Sequence, residues 1–549
     1  MADTPVGGGT GRPDLSHAAD ALGCADAVVG GAVRRLAGAG RGAVDDHQVL
    51  AYDVAHAAAA TATARAALEY GDRGHLEARI ACAFVADVLA DIAAKVYGRE
   101  ERWGSGAAAL AKAAPFVAAH RDPVVLAGLC GEEGPRHLGE EYELARETFH
   151  RFAANEIRPH AEHVHRTNGD IPDSIISGLA ELGGFGLSVP EAYGGFASGG
   201  ESDYLGMVVA TEELSWGSLG IGGSLITRPE ILTRALVHGG TEDQKQRWLP
   251  KLASGEMLAA VAVTEPDFGS DVAGIVTQAT AAEGGWVVNG VKTWCTFAAR
   301  ADVLMLLART DPDRSKGHRG LSLFVVDKER ADGKGFELRQ ASGAVGASGA
   351  ASSGGGKLEG RPIDTIGYRG MHSYELAFDN WFVPAENLVG GEDGLGKGFY
   401  LQMRGFENGR LQTAARALGV MQAAYEAAYA YACERTVFGA PILDYELTRA
   451  KLARMAVVIQ CTRQFAYQVA RSMAKGEGAL EASMIKAYVC KAAEWVTREA
   501  MQIHGGMGYA EEFPVSRYFV DARVLSIFEG ADETLALKVI ARRLVESAS

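Results

Sequence analysis

The chain has 549 residues, enough for two or three domains and a large core, and its abundant Ala and scarce Pro point to a mostly helical, soluble protein. A formal charge of −15 argues against a nucleic-acid surface and against an anionic membrane, while leaving room for a local basic pocket that takes a phosphate-bearing substrate. Seven scattered cysteines without a CxxC pair suggest neither a metal site nor a disulfide framework. The opening MADTPVGGGTGRPD lacks the apolar stretch of a signal peptide, and no apolar run approaches the roughly 20 residues of a membrane span, so a cytoplasmic protein is expected.

Residues 1–14 read as disordered. Ala-rich segments at 16–38, 45–70 and 75–98 carry apolar residues at helical spacing, and a further helical piece at 105–120 leads into a Gly- and Pro-bearing connector, 121–138. No His, Cys or carboxylate clusters here, so 1–138 reads as a structural helical extension. Gln48–Ala57 and Leu76–Ala83 echo Glu446–Met455 and Leu480–Ala487 in phase, which suggests a degenerate duplicate of two later helices. Chance likeness between Ala-rich amphipathic helices is the alternative. Residues 139–257 are again helical, with Thr241 as an N-cap ahead of Glu242 and Asp243. From 258 to 392 short apolar runs at Ile275–Ala281, Trp286–Val291, Val303–Ala308, Leu321–Val326 and Tyr374–Phe378 alternate with Gly, Asn and Asp, a β domain. Inside it, 341–356 is almost all Gly, Ala and Ser and reads as a flexible insertion. Helices return over 393–549.

Four stretches carry chemistry. In Val263-Thr264-Glu-Pro-Asp-Phe-Gly269-Ser270-Asp271 a strand ends in a hydroxyl and turns through Pro and Gly, exposing N–H groups and hydroxyls that suit an acceptor-rich ligand. A plain β-turn needs only the Pro and Gly. In Asn289-Gly-Val-Lys-Thr-Trp294-Cys-Thr296 the Asn-Gly pair predicts a hairpin turn, after which Trp294 and Thr296 share one face of a strand and could pack on and hydrogen-bond to a flat heterocycle; a core Trp is the other reading. Glu434-Arg435-Thr-Val-Phe438-Gly439, with Gln502-Ile-His-Gly505-Gly506-Met-Gly508-Tyr509, offers a bidentate phosphate partner and glycines that let backbone approach a ligand, or else a surface Arg and a helix break. Last, Val524, Leu525, Ile527 and Phe528 press Glu529 against Gly530. Burial among them should raise the carboxyl pKa and suit it to general-base work, unless it is an incidental acid at a helix end.

Taken together and in this order, T-E-P-x-x-G-S-D, N-G-x-K-x-W-x-T, E-R-x-x-F-G, Q-x-x-G-G-x-G-Y and aromatic-E-G resemble the acyl-CoA dehydrogenase flavoenzymes over about residues 140–549. The resemblance implies a mainly α fold with a β domain: a helical domain, a β-barrel-like domain and a C-terminal four-helix bundle, here behind an N-terminal extension. It implies FAD between β domain and bundle, with Arg435, Phe438 and Gln502–Gly506 acting across a dimer interface in a homodimer or dimer of dimers. Glu529 would take the α-proton of an acyl-CoA substrate, and its N–H with a flavin hydroxyl would polarise the thioester oxygen. In some members the base instead precedes an Arg on the helix before E-R-x-x-F-G; here that position is Gly409, ahead of Arg410. Thr264 and Thr296 would bond the isoalloxazine and Trp294 would pack near it. Ser270, Arg410 and Gly530 would lie on the substrate side, Arg410 alternatively pairing with Glu407. Electrons would leave to an electron-transfer flavoprotein, with Glu375 near the flavin edge.

The extension, the T-W-C-T-F-A sequence and the Gly-rich insertion narrow the resemblance to a branch whose substrate is a short branched acyl-CoA with a free carboxylate. Such a carboxylate needs a partner in an apolar pocket, and Arg228 is nominated, although an ordinary surface Arg fits the sequence as well. Two departures put FAD contacts in doubt: Ala531 stands where most relatives have Thr, and Tyr445-Glu446 where they have Phe-Gln. The competing readings are an oxidase or a dehydrogenase for another short acyl chain, and a DNA-binding flavoprotein of the alkylation-response type, which the acidic charge disfavours.

Overall fold

A computed structural model describes residues 13–40, 42–104, 108–340 and 355–548, without the side chain of Glu407. The opening segment up to 12 and most of the Gly-rich insertion (341–354) lie outside the described residues, and with them those two expectations.

Three helices, α1 (Leu15–Gly38), α2 (Gln48–Gly71) and α3 (His75–Val96), form the extension; Asp14 caps α1 by accepting from the Ser16 N–H at 2.8 Å. The predicted helix 105–120 is broken, with short helices at Ala108–Ala111 and Ala114–His120. Next come α4 (Glu140–Phe152), α5 (Arg158–Thr167), α6 (Asp173–Glu181), α7 (Ser202–Gly217), α8 (Thr227–Gly239) and α9 (Glu242–Ser254). Thr241 and Gln244 form a reciprocal capping box at the start of α9. After the β domain follow α10 (Gly398–Glu434), α11 (Glu446–Met473), α12 (Ala479–His504) and α13 (Val515–Leu525). Buried Leu411, Ala414, Ala415, Leu418 and Met421 recur every three or four residues on α10, which lets its apolar stripe pack on α7, α11 and α12 at once. Helices α2 and α3 pack on α11, and α2 also on α12, so the extension shares its core with the bundle.

The eight-stranded sheet runs β1 (Ala259–Ala262), β4 (Val303–Arg309), β2 (Gln278–Ala282), β3 (Gly285–Thr296), β8 (Ser373–Pro384), β7 (Lys357–Ile363), β6 (Phe336–Arg339), with β5 (Leu321–Asp327) on β4. β1 runs parallel to β4; the other long pairings are antiparallel. Strands β6 and β7 were not foreseen, because Phe336–Arg339, at the sheet edge, is only four residues long and Lys357–Ile363, between β8 and β6, carries few apolar residues among Lys, Glu, Gly, Arg and Pro. Asn289-Gly290 is not a hairpin turn: it sits inside twelve-residue β3 at a register shift against β8, with Gly290 at φ 144°. The reversal is made by Gly284 (φ 74°) between β2 and β3.

Candidate active site

Glu529 leaves the end of α13 in a backbone conformation that side chains rarely adopt, φ 54°, followed by Gly530 at φ 99°. Two consecutive left-handed residues, the first not Gly, persist only where their surroundings over-determine them, and such strain concentrates at functional sites. The surroundings are explicit. Lys486, buried on α12, donates to the Gly530 carbonyl at 2.6 Å, and the Asp532 N–H donates to the Ser526 carbonyl at 3.0 Å.

The Glu529 side chain is only 3% exposed. Its neighbours are not purely apolar, as the flanking residues led one to expect. Phe528 instead meets the Tyr368 ring edge-on at 5.5 Å and lies under the Arg416 guanidinium at 4.7 Å, while the carboxylate pairs with Arg228 Nη1 at 3.0 Å and faces Arg416 Nη2 at 3.9 Å. Both cations come from other helices, Arg228 from the first turn of α8 and Arg416 from the middle of α10, so sequence order hides them. Burial lowers the Arg416 pKa, with Glu529 opposing; a guanidinium stays charged even so. Arg228 also donates to Tyr368 Oη at 3.4 Å, and its buried Nε has no partner among the described residues. Glu529 Oε2 is likewise buried without a hydrogen bond among them. A methyl group built on Gly409 would lie 3.0 Å from that oxygen. The two positions from which the family supplies a base therefore converge on one spot. Below the pocket, burial pushes the Glu230 carboxyl up to about 7, against the pull of Arg234 and Asn408.

The β domain holds the turn and strand singled out by the sequence. The Val263 carbonyl accepts from Lys292 Nζ at 2.9 Å, and the Thr264 carbonyl from the Thr293 N–H at 2.8 Å. Lys292 is fully buried and also binds Glu265 at 2.8 Å, while Glu265 accepts from the N–H groups of Val276 and Thr277, which fixes the turn at Pro266. Gly269 and Ser270 are exposed, and Ser270 Oγ accepts from Thr534 at 2.9 Å. Trp294 and Thr296 do not share a face. A register shift after Lys292 turns Trp294 (φ 57°, 56% exposed) outward, whereas Thr296 is buried with its hydroxyl 3.0 Å from Ser373 Oγ. Trp294 is accordingly not a core residue. Arg410 donates to Ser483 Oγ at 3.1 Å; its suggested partner Glu407 has a side chain outside the described residues. Glu375 is exposed on β8 opposite Arg361.

A third group stands apart. Arg435 and Phe438 are exposed, Phe438 fully (99%) and at φ 49°; Gln502, Gly505 and Gly506 are exposed too, and a Cβ added at either glycine would meet nothing within 4 Å. Tyr431 stacked on His504 at 4.3 Å holds the two segments side by side. Among the described residues they make no hydrogen bond or ion pair to the Glu529 pocket. The Tyr445 hydroxyl donates to the Val437 carbonyl. Among the described residues no cluster of His, Cys, Asp or Glu could hold a metal ion, and no helix is long and apolar enough to cross a membrane.

Sequence profiles of the acyl-CoA dehydrogenase N-terminal, middle and C-terminal domains match residues 139–256, 260–355 and 396–545. The chain belongs to the acyl-CoA dehydrogenase family. It is 44% identical to a (2S)-methylsuccinyl-CoA dehydrogenase from Cereibacter sphaeroides over 75% of this chain and 71% of the relative. Among solved structures it resembles the butyryl-CoA dehydrogenase of Megasphaera elsdenii (30% identity, TM-score 0.65, 74% of this chain, 99% of the other). It also resembles a glutaryl-CoA dehydrogenase from Mycobacterium smegmatis in complex with FADH2 (25%, 0.63, 75% and 96%). The fold is that of the family, with helices ahead of it, and the enzyme is an FAD-dependent oxidoreductase acting on CH–CH bonds. The groups present fit that cofactor: an exposed indole, a threonine hydroxyl, the turn at Thr264–Ser270, and open glycines beside Arg435.

The sequence pattern missed Arg416, Tyr368, Lys486, Asp532, Tyr52 and His56. Only Tyr52 and His56 carried a local signal, two polar-tipped residues one helical turn apart on an otherwise Ala-rich face.

Proposed function

We propose that this protein oxidises the Cα–Cβ bond of a short, branched CoA thioester bearing a second carboxylate, methylsuccinyl-CoA to mesaconyl-CoA, and passes the electrons to an electron-transfer flavoprotein. The observation that carries the reading is the buried Glu529 carboxylate set between two guanidiniums and against Gly409. A lone carboxylate facing two buried arginines leaves room for a second anion, and the 44% identical relative supports a dicarboxylic substrate. Arg228, with an unbonded Nε and one arm on Glu529, is the group that an incoming carboxylate engages. As the substrate anion takes over Arg228, Glu529 is released to accept the α-proton: the Cα–H bond breaks and the carboxylate becomes the acid. When bound, FAD supplies the hydride acceptor at Cβ. Arg416, held by Ser224 at 3.0 Å and Thr413 at 2.8 Å, keeps its place throughout and balances the remaining charge. Ser270 and Arg410 serve the CoA side. Arg435, Phe438 and Gln502–Gly506 complete the FAD site of a second subunit in a homodimer or a dimer of dimers.

The test is anaerobic bleaching of the yellow protein by a panel of CoA thioesters, followed by electron transfer to an electron-transfer flavoprotein. Methylsuccinyl-CoA should bleach fastest and yield mesaconyl-CoA. Faster bleaching by butyryl-CoA overturns the substrate; rapid peroxide formation from oxygen overturns the acceptor.

A further inference from the structure

The N-terminal extension reaches the catalytic loop. One turn apart on α2, Tyr52 and His56 converge on Asp532, three residues beyond Glu529. The Tyr52 hydroxyl donates to Asp532 Oδ2 at 2.5 Å, and His56 Nε2 lies 3.2 Å from Oδ1 and 3.3 Å from Oδ2. Lys491 of α12 adds a contact at 3.2 Å and lies over the Tyr52 ring at 5.1 Å. The His56 and Asp532 side chains are only 9% and 10% exposed. Burial works against the Asp532 charge, but the hydrogen bond and charge of His56, then Tyr52 and Lys491, outweigh it and hold the carboxyl well below its usual range. From this anchor the chain runs one way to the left-handed pair Glu529-Gly530 and the other way to Thr534, which binds Ser270 at 2.9 Å. Asp45, also in the extension, grips Lys538 at 2.5 Å and Arg542 at 3.7 Å further along the same segment.

We propose that Tyr52 and His56 are positioning residues: by anchoring Asp532 they hold Glu529 in its strained backbone conformation, which makes the extension a working part of the catalytic centre. The inference rests on Glu529 as the base. A strained loop relaxes when its anchors go, and displacing a reacting group by about 1 Å can cost on the order of 100-fold in rate. Lys486 still holds the Gly530 carbonyl, so the loss should be partial.

The experiment uses the full-length, FAD-loaded enzyme and whichever ester of the panel bleaches the wild type fastest. In a Tyr52→Phe/His56→Leu double variant the maximal bleaching rate should fall on the order of 10-fold or more, at unchanged half-saturating thioester concentration and FAD content, measured well below a thermal midpoint that the loss of two Asp532 partners lowers. His56→Gln, which keeps a donor near the place of Nε2, should restore most of the rate lost in His56→Leu. Should the double variant fail to fold, Tyr52→Phe alone, which removes one oxygen, should still slow the maximal rate. Bleaching at the wild-type rate in these variants overturns the proposal, as does a loss that tracks the thermal midpoint and is not relieved by Gln. Full activity in Glu529→Gln would refute the base itself; an inactive Glu529→Gln beside a fully active double variant would refute only the positioning.

Discussion

The two halves of the proposed cofactor and substrate site are built in opposite ways. Around Glu529 the chain supplies everything: a buried carboxylate, two guanidiniums, an aromatic wall and a lysine on the following carbonyl. Around Arg435 it supplies an open edge, with a fully exposed phenylalanine in a left-handed conformation and two glycines facing empty space. Exposing Phe438 to water without return is costly in apolar area, about 25 cal/mol per Å². On the proposed reading the difference separates proton abstraction from cofactor retention: the groups around Glu529 come from one chain, and those around Arg435 would meet a second. Glu529→Gln breaks the comparison at its strongest point. The isosteric amide cannot take a proton, so thioester-driven bleaching should slow by roughly 10²–10⁴-fold with FAD retained, read by stopped-flow absorbance. Unslowed bleaching would leave the pocket without a base.

Arg228→Met is the next largest perturbation. It removes the cation proposed to meet the substrate carboxylate, and truncating one partner of a buried charge pair costs about 2–5 kcal/mol, roughly 30- to 4,000-fold. The loss should fall on esters with a free carboxylate and spare plain alkyl esters. A uniform loss across the panel would make Arg228 a structural partner of Glu529 alone.

How much of this was legible beforehand follows from what a linear pattern can carry. Thr264, Ser270, Trp294, Arg435 and Glu529 were nominated because each sits in a short motif whose spacing encodes a turn or a helix end. Arg416 was not: it lies mid-helix on α10, 113 positions before Glu529 in the chain, in a run that reads as ordinary core. Asp532 stands in none of the motifs, and its contacts to Tyr52 and His56 are visible only once α2 packs on α12. Local rules also failed where tertiary pairing overrode them. Asn289-Gly290 has hairpin chemistry, yet β8 lies alongside and turns the pair into a bulge, which in turn moves Trp294 to the outside. Arg228 was nominated for a substrate carboxylate and not as a partner of Glu529, and Arg416 was unreadable, since flanking residues report only one wall of a pocket.

Glu230 sharpens the comparison from beneath the closed half. Its folded-state pKa is about 7 against an ordinary 4.5, because burial penalises the ion. Between those values the folded protein holds a proton that the unfolded chain has released. Stability from this group is thus fully present below about 4.5, falls as pH rises towards 7, and levels off above it, a loss on the order of 3 kcal/mol. Glu230→Gln removes the titration. Urea unfolding of both proteins at pH 5, 6, 7 and 8 should show the variant gaining on the wild type up to pH 7 and little thereafter. A gap that does not change with pH would mean that Arg234 and Asn408 keep the carboxylate ionised.

The open half gives the smallest effect. Arg435→Ala removes a charge-assisted phosphate contact worth about 1.5–3 kcal/mol, so FAD should bind roughly 10- to 100-fold more weakly. Once loaded at high FAD concentration, the variant should bleach at nearly the wild-type rate, because nothing in the Glu529 pocket touches residue 435 among the described residues. If the arginine acts on the partner's cofactor, the weakening should also appear as a dependence of FAD affinity on protein concentration, measurable by dilution into a fluorescence assay. Affinity that ignores dilution would place the contact within one chain. A matched fall in the loaded bleaching rate would mean that the two halves are mechanically joined.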